Sequence, residues 1–71
     1  MKVILGLHKE LYTKSLIQKA IVAYKGLAHI TVKENSTHYF CTFSRCKYDS
    51  AITKHEFANY LIDLANSKES L

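Results

Sequence analysis

The spacing of apolar residues in this chain switches from strand-like to helix-like and back, and that succession limits the folds open to it. Lys2 to His8 carries Val3, Ile4, Leu5 and Leu7, a short apolar run that reads as a strand. After a connection from His8 to Tyr12, the residues Leu16, Ile17, Ala20, Ile21, Ala23, Tyr24 and Leu27 recur at helical spacing. Thr13 is the expected N-cap, because its hydroxyl can accept a bond from an unpaired first-turn amide. Tyr12 and Ile17 stand where a hydrophobic staple needs them. Gly26 is the expected stop, since glycine takes a left-handed C′ conformation at little cost.

The second half repeats the alternation. Ala28 to Glu34 alternates Ile30 and Val32 with His29, Thr31 and Lys33, the pattern of a half-buried strand. Asn35-Ser36 is the turn. His38 to Arg45 is a strand with Tyr39, Cys41 and Phe43 on one side and Phe40, Thr42 and Ser44 on the other, so the pair reads as a hairpin. Cys46 to Ser50 is a loop. Thr53 with Glu56 has the form of a capping box, with Ile52 and Phe57 as a second staple. Phe57, Ala58, Tyr60, Leu61, Leu64 and Ala65 then make the apolar face of a last helix that frays near Ser67.

The element order is therefore β-α-β-β-α in a single small α+β domain over residues 1–71. Hairpin strands are antiparallel neighbours, and a strand–helix–strand crossover has a strongly preferred hand. The third strand is the richest in aromatics and takes the centre. The expected sheet is three-stranded and antiparallel, in order 1-3-2, with both helices on one face. A 1-2-3 order with the first strand parallel to the second is the alternative. Under either order Val3, Leu5, Leu7, Ile30, Val32, Tyr39, Cys41 and Phe43 point at the helices. Ile4, Gly6, His29, Thr31, Lys33, Phe40, Thr42 and Ser44 face away.

Composition excludes several function classes. The chain has no proline and two glycines, is 48 % hydrophobic, and is too apolar for intrinsic disorder. Its N-terminus is too short for a signal peptide, and no stretch reaches the length of a membrane-spanning helix, so a cytoplasmic protein is expected. Cys41 and Cys46 are set to span on the order of 16 Å if both lie in one strand, too far for a disulfide. Reduced thiols suit the same compartment. The four histidines, His8, His29, His38 and His55, show neither CxxC nor HxxxH partners, so neither metal nor any other cofactor is expected. Cys46 lies between Arg45 and Lys47, which favours a thiolate, yet nothing places a base beside it. Asp49, Glu56 and Asp63 show no carboxylate pairing. The chain reads as a non-enzyme.

Two surfaces remain. The net charge is +4, and the excess lies in the residues up to Lys33. There Lys2, Lys9, Lys14, Lys19, Lys25 and Lys33 stand against Glu10 alone. Lys14, Lys19 and Lys25 form a candidate basic helix face around Val22, suited to nucleic acid. The uncovered sheet offers Ile4, His29, Thr31, Lys33, Phe40 and Thr42. Ile4 and Phe40 there, beside unpaired strand edges, suit a protein or peptide, or a second copy of the chain through face or edge. Binding of protein or peptide is the leading reading. A small basic nucleic-acid-binding domain is the alternative, since sheet aromatics flanked by lysine can stack bases.

The stretch Leu11-Tyr12-Thr13-Lys14-Ser15-Leu16-Ile17-Gln18-Lys19-Ala20 resembles the opening of HxsD-like proteins of the His-Xaa-Ser system. In that family a Leu-Tyr-Ser/Thr start leads into an apolar helix with Lys-Ala, then a hairpin, then a closing helix with a Phe and leucines. Phe57, Leu61 and Leu64 match those closing positions. The resemblance implies an accessory or adaptor protein that accompanies radical-SAM maturases in peptide modification. It brings no catalytic residues with it.

Overall fold

A computed structural model describes residues 3–66 of the chain. Lys2, expected to open the first strand, and the fraying expected near Ser67 lie outside the described residues. The elements are β1 (Val3–His8), α1 (Lys14–Ala23), β2 (His29–Glu34), β3 (His38–Ser44) and α2 (Ser50–Asn66). The sheet order is β1-β3-β2, with β3 antiparallel to both neighbours. The 1-2-3 alternative is thereby excluded. Among the described residues, no helix is long and apolar enough to cross a membrane.

The register sorts the side chains by parity. Val3, Leu5 and Leu7 of β1 lie opposite Phe43, Cys41 and Tyr39 of β3, and Ile30 and Val32 of β2 lie opposite Phe43 and Cys41. Leu7, Cys41 and Phe43 from this face join Ile17, Ala20, Phe57 and Leu61 from the helices in one buried cluster. Both helices therefore cover the same face. The rings of Phe43 and Phe57 meet edge to face at 5.1 Å, and Tyr24 meets Phe57 at 5.3 Å. Such pairs add to the stabilisation from burial itself.

The start of α1 is as expected. Thr13 has extended backbone, and its Oγ1 accepts the Leu16 N–H at 3.1 Å. Tyr12 packs against the core and Ile17 is fully buried within it. The end of α1 is not as expected. The helix stops at Ala23, which is exposed, and Gly26 does not take a left-handed conformation. A tighter turn replaces that cap, with the N–H groups of Leu27 and Ala28 both donating to the Tyr24 carbonyl. The left-handed residue is instead Arg45, with φ of 51°. There the chain leaves β3, and the Lys47 N–H reaches back to the Leu27 carbonyl at 2.7 Å.

The start of α2 also differs. The helix begins at Ser50, so Thr53 lies inside it and is buried. Asp49 is the cap: its Oδ1 accepts the N–H groups of Ala51 at 2.9 Å and Ile52 at 3.1 Å. The Thr53 hydroxyl donates to the Asp49 carbonyl at 2.9 Å, which satisfies it in the interior. Ile52 is exposed, so the staple with Phe57 does not form. Asp49→Ala is expected to lower stability by about 1 kcal/mol, read as a shift of the urea midpoint at constant slope. An unchanged midpoint would show that these bonds contribute nothing net.

Candidate functional site

The face of the sheet away from the helices is built in cross-strand rows. Ile4, Thr42 and Thr31 form one row, and Gly6, Phe40 and Lys33 the next. Ile4, Thr31, Lys33, Phe40 and Thr42 line a shallow depression of about 410 Å³. These are the residues expected on the open face, brought together by strand parity alone. His29 is not among them. It pairs with Ser44 at the end of the sheet and lines a separate cleft beside the end of α1.

Ile4 is 52 % exposed, although it sits in the middle of an apolar strand. Phe40 is half-buried. Its ring lies beside Gly6, where an added Cβ would stand 3.5 Å from Cε1. Two residues back along β3 the His38 ring stacks with it at 5.9 Å and an interplanar angle of 20°. His38 in turn meets His8 edge-on at 4.7 Å. The open face thus carries an aromatic row, His8–His38–Phe40, that reasoning by residue type misses. The signal is present in the spacing: His38 stands two before Phe40, and His8 two after Gly6, which places both on this face.

The histidines are held by local bonds. His8 Nδ1 accepts the Glu10 N–H at 3.2 Å, so in the neutral ring the proton sits on Nε2. His38 Nδ1 lies 2.7 Å from Thr37 Oγ1. Among the described residues, no group of three or more His, Cys, Asp or Glu side chains is arranged to hold a metal ion.

The lysines of the candidate basic face of α1 are spread around the helix. Lys14 and Lys19 are about 140° apart around the helix axis. Lys14 lies 3.8 Å from Glu34, and Lys9 closes on the same carboxylate at 2.6 Å. The Lys9 hydrogen bond and charge, with Lys14 behind them, hold the Glu34 carboxyl below the usual range. Lys19 flanks a dish with Ser15, Gln18 and Val22, while Lys25 lies beyond the helix end. Lys19 and Lys25 thus both border Val22, whereas Lys14 is turned toward Glu34.

Both cysteines are free. Cys41 is fully buried, and burial pushes its thiol up to about 11. Cys46 is half-buried and packs against the core. Compared with known protein families, curated proteins and solved structures, the chain matches none.

Proposed function

We propose that this domain is a non-enzymatic module that binds a protein or peptide on its open sheet face. The observation that carries the reading is Ile4, half-exposed beside Phe40 on a face that no element among the described residues covers. Monomers seldom leave such apolar area without a use for it. The threonines at positions 31 and 42 add hydroxyls beside the apolar pair, and Lys33 adds a charge at the rim. On the HxsD resemblance the module serves as an accessory in peptide maturation, and its ligand is the peptide being modified.

The test is Phe40→Ser against peptides selected from a display library on the unaltered domain. Expected are retained far-UV circular dichroism and binding weaker by roughly tenfold, about 1.4 kcal/mol. Unchanged binding, or loss of the fold, would remove the face as the working surface. The stacked rings of His38 and Phe40 with Lys33 in the adjacent position favour a second reading, a stacking platform for single-stranded nucleic acid. Steep weakening of oligonucleotide binding with salt would support that reading, whereas apolar peptide contacts depend little on salt.

A further inference from the structure

We propose that the domain forms a two-fold homodimer in which β1 pairs antiparallel with β1 of a second copy, centred on Leu5. The two sheets become one of six strands, and the two open faces become one continuous surface. This stands apart from the peptide-binding reading: a dimer that binds no peptide would sink that reading alone, and a peptide-binding monomer would sink this one alone.

The outer strands of the sheet are unlike. β2 carries His29, Lys33 and Glu34, and charged side chains are a common guard against edge pairing. β1 has no charge and no proline from Val3 to Leu7. Its backbone is also correctly phased. The Lys9 N–H donates to the Thr37 carbonyl at 2.8 Å, which marks that pair as hydrogen-bonded. Alternation then makes Leu7, Leu5 and Val3 the residues bonded to β3. The N–H and C=O groups of Ile4 and Gly6 point to the outer edge.

Those groups select the register. A two-fold at Leu5 sets Ile4 opposite Gly6 of the partner subunit, and Gly6 opposite Ile4 of the partner subunit. Every outward group of both residues is then paired, and Val3 to Leu7 forms an entirely apolar ladder. A shift toward His8 would use a carbonyl that already accepts the N–H groups of Leu11 and Tyr12. On the open face, Ile4 comes to lie beside the bare Gly6 of the partner subunit, next to the Phe40 ring that borders it. The exposed half of Ile4 gains an aromatic neighbour, a favourable cross-strand combination.

The helix layer fits the same axis. α2 packs on both β1 and β3. The two-fold therefore brings the two α2 helices to the same side of the joined sheet, where neighbouring helices pack about 8–10 Å apart. The ladder alone falls short of the roughly 1,200 Å² of a small specific interface, and the helix pair extends it. The guarded edge, with Lys33, lies two strands away.

The test is sedimentation together with amide hydrogen exchange on the unaltered chain at low and high concentration. Expected is a monomer–dimer equilibrium in which the Ile4 and Gly6 amides slow by roughly tenfold or more at high concentration. Leu5 and Leu7 amides are slow throughout. Ile4→Lys is expected to keep its circular dichroism and raise the dissociation constant by roughly tenfold or more. A monomer at millimolar concentration overturns the proposal. So does a dimer whose Ile4 and Gly6 amides exchange freely, or undiminished dimerisation of a folded Ile4→Lys variant. If that variant fails to fold, the exchange pattern of the unaltered chain decides.

Discussion

Phe57→Ala is expected to leave the domain unfolded, or nearly so, at 25 °C. Phe57 has no exposed surface and joins both layers of the fold: its ring meets Phe43 of the sheet and Tyr24 after α1. Truncating a buried phenylalanine costs about 3–5 kcal/mol, because transfer free energy is lost and a cavity remains. A core of this size supplies net stability of roughly 3–5 kcal/mol in all. The loss therefore matches the whole margin. Far-UV circular dichroism with urea titration is the measurement. A cooperative transition within about 1 kcal/mol of the unaltered protein would show that the helix–sheet contact is not centred on this ring.

The second large effect is a loss of stability in alkali through Cys41. Burial raises its thiol from an ordinary value of 9.0 to about 11. In the folded chain the thiol stays protonated while the unfolded thiol ionises near pH 9. Above that pH the unfolded state holds fewer protons than the folded state, so stability falls as pH rises. The contribution is complete below pH 9 and is lost between pH 9 and about 11. The slope is at most about 1.4 kcal/mol per pH unit. Urea midpoints measured across that window should fall, and Cys41→Ala should remove this part of the slope while lowering stability at neutral pH. An equal slope in the variant would assign the alkaline loss to other groups.

The candidate site is legible in the sequence to the extent that it depends on parity. Ile4, Thr31, Lys33, Phe40 and Thr42 share a face because side chains alternate along strands, and one hairpin turn sets the phase for two of the strands. His8 and His38 obey the same rule, but their residue type alone does not mark them as members of an aromatic row. The basic face of α1 is less legible for a different reason. Counting lysines ignores their angular separation and the reach of Glu34, which draws in Lys9 and Lys14 from outside its own strand.

Helix ends divide along similar lines. Thr13 is recognisable because no rival cap precedes an equally strong apolar run. At α2, Asp49 and Thr53 both have cap chemistry, and Thr53 with Glu56 has the form of a box. The extra turn is favoured because Thr53 packs inward with its hydroxyl satisfied by the Asp49 carbonyl, leaving the Asp49 carboxylate for the first free amides. That back-bond spans four residues and is local; what the sequence does not show is the burial of Thr53, which places it inside the helix and not at its cap. Likewise Gly26 can adopt a left-handed conformation but has no need of one, whereas Arg45 bears it at the exit from β3.

By itself, then, the sequence determined the order β-α-β-β-α, the facing of each strand and the cap at Thr13, because these follow from periodicity and short-range hydrogen bonding. Tertiary structure decided where α2 begins, how α1 ends, which lysines are paired and which rings line the open face. The lysine pairs and the row of rings depend on groups distant in the chain meeting in space, whereas the helix ends use short-range bonds whose choice among rivals follows from which side chain the core buries.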